Sequence, residues 1–170
     1  MLEPPGLDRG DNKRPDGLTI YPWKYGKPLV WDVTVVDTLA PSYIATTSSK
    51  AGGAAEAAES RKQRKYEHLE DRFIVQSVGF ETLGSWGPAA RSFLSDIGRR
   101  VQQATGRERS SEFLRQRISM EIQRGNAASV MGTAETSNPN FLGQDCGFVF
   151  LNFDEVFWVW RSSGIYCHHC

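Results

Sequence analysis

Apolar positions along this chain follow two periods, one of strands and one of helices. The segment Leu29-Val30-Trp31-Asp32-Val33-Thr34-Val35-Val36-Asp37 is rich in β-branched residues and apolar on both faces, which predicts a strand covered from two sides. Before it, Arg14-Pro15-Asp16-Gly17-Leu18-Thr19-Ile20-Tyr21 predicts a short strand opened by a turn. Gly26 and Pro28 break the 23–28 stretch between them, so the pair reads as a hairpin. Residues 51–69 predict a helix, with Ala54, Ala55, Ala57 and Ala58 favouring it and the basic run Arg61-Lys62-Gln63-Arg64-Lys65 in its second half. Phe73-Ile74-Val75-Gln76-Ser77-Val78-Gly79-Phe80-Glu81 returns to strand character. Past the breaker Gly84-Ser85-Trp86-Gly87-Pro88, the residues Phe93, Leu94, Ile97 and Val101 form one helical stripe that Gly106 ends. Leu114, Ile118 and Ile122 form another, from about Ser110 to Gly125.

Strand, strand, helix, strand, helix, helix is an α/β order, and it predicts a small mixed sheet flanked by helices. The strands on either side of the alanine-rich helix are expected to be parallel neighbours joined by a right-handed crossover. Residues 1–132 form one domain. Beyond them, 133–147 is loop-like, and Phe148 to Trp160 packs six aromatics into a short stretch around Asp154 and Glu155. Residues 133–170 are left unassigned: an added strand is one reading, and a non-native or disordered tail is the preferred one.

Composition narrows the function. The chain has 170 residues, with Lys plus Arg (20) equal to Asp plus Glu (20), so no global field draws it to nucleic acid or anionic lipid. Any polyanion must be met by a local patch. At 39% hydrophobic and 11% aromatic, disorder throughout is excluded. No apolar run approaches the roughly 20 residues of a membrane span, and the N-terminal segment lacks the apolar stretch of a signal peptide. Cys146, Cys167 and Cys170 crowd into the last quarter, which leaves the body without a disulfide framework. These features predict a soluble intracellular protein.

The most informative residue is a carboxylate in an apolar strand. Asp32 shares a face with Val30, Thr34 and Val36, and a buried carboxylate costs several kcal/mol unless it is bonded, ion-paired or metal-bound. A hairpin brings Asp16 near it, and two hard oxygen ligands on adjacent strands suit Mg²⁺ or Mn²⁺. Structural roles stand beside this reading: a strand aspartate bonded to a loop, and a turn aspartate after Pro15. On the helix, Arg61 and Lys65 are four apart and Lys62 and Lys65 three apart, so they share a side. Lys62 or Lys65 can lean toward Asp32 and meet a phosphate, or the run is a solvated face. Tyr66 either packs beneath the strands or stacks on a base, packing being preferred.

These residues carry a resemblance. Lys13-Arg14-Pro15-Asp16-Gly17-Leu18-Thr19, Val30-Trp31-Asp32-Val33-Thr34-Val35-Val36 and Arg61-Lys62-Gln63-Arg64-Lys65-Tyr66 together resemble a PD-(D/E)xK nuclease. More closely, the pattern resembles the restriction-like endonuclease domain beside reverse transcriptase in non-LTR retrotransposons. Val78 to Gly84 and the segments Gln116 to Ser119 and Gln123 to Asn126 are similar to C-terminal regions of such mobile-element proteins, and the resemblance covers roughly Leu2 to Gly132. It implies Asp16 and Asp32 as metal ligands for Mg or Mn, and DNA as substrate. It implies a reverse-transcriptase domain in the parent protein and a nuclear setting. The family's lysine two positions after the second acid is Thr34 here, so the resemblance nominates Lys62 or Lys65, with Gln76 and Glu81 as weaker completions of the site. Arg61, Lys62, Arg64 and Lys65 would contact nucleic acid. The family core begins with a helix and strand ahead of the Pro-Asp strand, and a start at Met1-Leu2-Glu3-Pro4-Pro5 implies a core lacking its first helix.

Two other chemistries fail on spacing. Cys167 and Cys170 have zinc-like separation, but Cys167-His168-His169-Cys170 cannot turn four adjacent side chains onto one ion, and no second pair supports them. His68 is the lone histidine outside the tail, so no Ser/His/Asp triad can be built. The expected activity is metal-dependent DNA cleavage by activated water. A catalytically inactive nucleic-acid-binding or structural remnant of a mobile element is the alternative, and a fragment that does not fold alone is a third.

Overall fold

The computed structural model describes residues 15–135. The expected N-terminal loop before Pro15, the aromatic stretch and the cysteines lie outside the described residues. Three strands form one mixed sheet in the order β1-β2-β3: β1 is Gly17–Leu18, β2 is Leu29–Val36 and β3 is Ile74–Glu81. Four helices accompany them: α1 (Ile44–Thr47), α2 (Gly53–Tyr66), α3 (Pro88–Thr105) and α4 (Ser110–Glu135), with a 3₁₀ turn at Glu67–Leu69. The expected hairpin pairs antiparallel, Gly17 with Trp31 and Leu18 with Val30. The expected parallel pair runs in full register from Leu29 with Ile74 to Val36 with Glu81. A small mixed sheet flanked by helices is therefore the architecture.

Strand alternation sorts β2 and β3 onto two faces. Leu29, Trp31, Val78 and Phe80 face α3 and α4, where Phe93, Leu94, Ile97, Ile118 and Ile122 complete the main core. Val30 packs with Tyr66 and Leu69, and Val36 with Ala54 and Ala58, on the α2 side. The alanines are small enough to let α2 lie close against the sheet.

Two elements differ from expectation. The first strand is two residues long because Pro15 has no N–H for the ladder at one end, while Ile20 and Tyr21 turn into solvent at the other. Helix α4 passes the expected stop at Gly125 and runs to Glu135. A glycine costs a helix about 1 kcal/mol and ends it only by adopting a left-handed conformation, which Gly106 does at the end of α3 and Gly125 does not. Asn126 Nδ2 also donates to Thr82 O at 2.6 Å, tying the helix to the end of β3.

Both helices that flank β3 have their first turns capped by a carboxylate from another element. Glu81, at the end of β3, accepts the N–H groups of Ala54 and Ala55 at 2.9 and 3.3 Å. Glu59, on α2, accepts those of Ala90 and Ala89 at 2.8 and 3.0 Å, and also Gly79 N–H at 3.0 Å. Each places a negative group at a helix N-terminus, where free donors and the dipole both favour it. Gly87 precedes α3 because a Cβ there would stand 2.3 Å from the Glu59 carboxylate.

The β1–β2 connection closes on the tight turn Lys24-Tyr25-Gly26-Lys27. Lys24 and Lys27 bridge antiparallel, and both central residues are left-handed, Tyr25 at φ 52° and Gly26 at φ 72°. Gly26 suits that backbone; Tyr25 does not, and L-residues give up about 1–2 kcal/mol there. The turn is anchored through Lys24 Nζ, 2.7 Å from Asp96 Oδ2 on α3. That hydrogen bond, with the nearby Arg99 and Arg100 charges, holds the Asp96 carboxyl below its ordinary value against the opposing effect of burial. A carboxyl depressed in the folded state contributes stability above its unfolded pKa and loses it as pH falls through the folded one. We therefore expect Asp96→Asn to cost less than about 1 kcal/mol at neutral pH, the contact being partly solvent-screened. The gap to wild type should narrow as pH falls below the ordinary carboxylate range, in urea titrations across pH.

Candidate functional site

Asp32 sits mid-strand on the α2 side of β2, with its side chain only 5% exposed. Its Oδ1 accepts the Tyr66 hydroxyl hydrogen at 2.7 Å. Lys62 Nζ lies 2.6 Å from the buried Oδ2 and forms an ion pair with it. Lys65 Nζ in turn donates to Tyr66 Oη at 2.6 Å and rests over the Tyr66 ring. Lys62 and Tyr66 are one helical turn apart, which is why both reach the same carboxylate.

Asp16 immediately precedes the edge strand. The β1–β2 register, continued one residue beyond Gly17, sets Asp16 across from Asp32. The next ladder partner of Val33 would be Pro15, and Asp16 Oδ2 takes the Val33 N–H instead, at 2.6 Å. Lys62 and Tyr66 thus meet at Asp32, with Lys65 on the Tyr66 hydroxyl, while the Asp16 carboxylate is held on the backbone of the next residue, Val33. Beside it, Ser77 pairs with Asp32 in register and donates its hydroxyl to Gln63 Oε1 at 3.1 Å.

Other residues expected at the site lie elsewhere. Glu81 is five positions beyond Gln76 on β3, opposite Val36 rather than Asp32, where its carboxylate caps α2. Gln76 points to the opposite face, its amide donating to Ser77 O and, at 3.5 Å, to Ala89 O. Arg61 turns to Tyr43, bonding its hydroxyl and lying over its ring. Arg64 is exposed near the end of α2. Thr34, two positions after Asp32, is half-buried on the Asp32 face.

Tyr66 is the residue that sequence reasoning undervalued. It is buried beneath the strands, as preferred, but its hydroxyl is also the contact that orients Asp32. The signal in the sequence is its i+4 spacing from Lys62, which puts both on the side of α2 that reaches Asp32.

A small hard cation would have as protein ligands the carboxylates of Asp32 on β2 and of Asp16 just before β1, and it would have to displace the Lys62 ammonium from Asp32 Oδ2. Magnesium commonly takes one or two protein carboxylates and keeps several waters. Among the described residues no group of three or more acidic, histidine or cysteine side chains could hold a metal, so Asp16 and Asp32 would have to suffice. No helix among the described residues is long and apolar enough to cross a membrane. No protein-family model, curated protein or solved structure matches the chain.

Proposed function

We propose that this chain is a metal-dependent DNA endonuclease-like domain, derived from a retrotransposon reverse-transcriptase protein, that hydrolyses phosphodiesters with water. The observation that supports the reading is the nearly buried Asp32 carboxylate with Lys62 2.6 Å from it, while continuation of the β1–β2 register would set Asp16 across from Asp32. Mg²⁺ or Mn²⁺, when bound, would supply polarisation of a phosphoryl oxygen and activation of water. Asp16 and Asp32 would hold the ion, and Tyr66 fixes the orientation of Asp32. Lys62, freed from Asp32 by the ion's charge, would present its ammonium to a phosphate oxygen. Lys65, kept at the Tyr66 hydroxyl, adds positive potential at the same edge, and Arg64 extends it along α2.

A second reading, a DNA-binding remnant without catalysis, draws on a different observation. Lys62 already neutralises Asp32, and the described residues offer no third carboxylate. The test is nicking of supercoiled plasmid with Mg²⁺ or Mn²⁺ by the wild-type chain and by Asp16→Asn and Asp32→Asn. Metal-dependent nicking lost in both variants supports the endonuclease. DNA binding with no nicking, or nicking equal in all three proteins, rejects it in favour of the remnant.

A further inference from the structure

We infer that the tip of the β1–β2 hairpin is a second nucleic-acid contact, in which Tyr25 stacks on an unpaired DNA base. The inference rests on DNA being the partner of this chain, but not on its cleavage. Tyr25 is the one non-glycine among the described residues with a positive φ, at 52°, and its side chain is 94% exposed. Asparagine, aspartate or glycine would fill that position of the turn without strain. A large aromatic there is unfavourable twice over, in backbone conformation and in apolar surface left in water, and it makes no packing contact that would offset either.

The rest of the hairpin is held firmly. Trp23 is buried edge-on against Phe93, with ring centres 5.9 Å apart, and Arg100 lies 3.7 Å from the Trp23 ring centre. Trp23 N–H donates to Lys27 O and Lys27 N–H to Lys24 O, at 2.8 and 2.9 Å. Lys27 Nζ donates to Glu70 O, and Asp96 is bonded between Lys24 and Arg99. A fixed platform therefore carries one projecting ring with cationic side chains around its base. That combination suits stacking on a base, with the backbone phosphates met by Lys24, Lys27 and Arg99. Stacking needs an open base face, so the ligand is single-stranded DNA or the frayed bases at a nick, in preference to intact duplex.

Fluorescence anisotropy with a labelled oligonucleotide, single-stranded and as a blunt duplex, tests this in EDTA, where cleavage plays no part. The full chain should prefer the single strand. Tyr25→Asn should weaken that binding about tenfold, the loss of one stacked base. The same substitution should raise the melting temperature by a few degrees, because the turn is relaxed. Tyr25→Phe, which keeps the ring, should bind as wild type does. Unchanged affinity in Tyr25→Asn overturns the hairpin contact and leaves the proposed endonuclease standing. A loss in Tyr25→Phe as large as that in Tyr25→Asn overturns stacking. Wild-type self-association abolished by Tyr25→Asn, with DNA binding intact, would overturn it by making the tip a protein contact. No DNA binding by the wild-type chain overturns both this inference and the reading it rests on.

Discussion

Asparagine in place of Asp32 should lower metal-dependent nicking by about a thousandfold while changing stability by no more than about 1 kcal/mol. The first figure follows from the several kcal/mol that an ion contributes at a phosphoryl centre, each 1.4 kcal/mol being roughly tenfold in rate. The second follows from the surroundings of the carboxylate. Asparagine keeps an oxygen for the Tyr66 hydroxyl, now 2.7 Å from Asp32 Oδ1. Lys62, whose side chain is 31% exposed, can swing its charge into water. Removing Lys62 instead strands a nearly buried carboxylate, so Lys62→Met should be the more destabilising change; removing one partner of a fully buried pair costs about 3–5 kcal/mol. Urea denaturation of the two variants beside the plasmid assay checks both halves. If Asp32→Asn loses 3 kcal/mol or more, the aspartate is a structural member of the Tyr66–Lys62 network, and the case for a metal ligand falls with it.

Glu59→Ala should be the most damaging single change to the fold itself, at about 3 kcal/mol or more. Its carboxylate accepts three backbone N–H groups, from Gly79, Ala89 and Ala90, and the residue is 4% exposed. Bonds to charged acceptors are worth more than neutral ones, and a buried donor left without an acceptor carries its own desolvation cost. A domain of ordinary stability has about 5–15 kcal/mol in total, so the loss is a large share. Glu59→Gln should fall between, since its amide oxygen can serve Gly79 and Ala90 while its NH₂ would confront the Ala89 N–H. Chemical denaturation of both variants measures this, and a cost under 1 kcal/mol for alanine would show that water replaces the carboxylate.

The strand and helix order was legible because each element has a strong local signature. The run from Leu29 to Val36, the alanines of α2 and the Phe93-Leu94-Ile97-Val101 stripe need no distant partner to be read. The hairpin itself was legible too, and its register, Gly17 with Trp31 and Leu18 with Val30, follows from the turn between the two runs. Glu81 and Glu59 were not. Each caps a helix whose start lies more than 25 positions away along the chain, and a capping signal is ordinarily sought immediately before the helix it serves. The same difficulty attends Arg61, whose partner Tyr43 belongs to the α1 region that no periodicity announces. Tyr25 shows a further limit: the glycine beside it marks a turn, but nothing in the residue types says that the tyrosine itself would take a left-handed backbone.

The carboxylate caps also bear on how the chain can be made and cut. On a ribosome, the start of α2 emerges well before Glu81, and that of α3 is completed by a helix already synthesised. The first half must therefore wait for the end of β3 before its central helix is finished, whereas α3 can close as soon as it appears. A cut between α2 and β3 would leave two pieces that each hold half of a cap, neither with its helix starts satisfied. Complementation of such pieces, expressed separately, should thus depend on Glu81 supplied by one and received by the other, so the connection between α2 and β3 is not a seam at which evolution or an engineer could divide the domain cleanly.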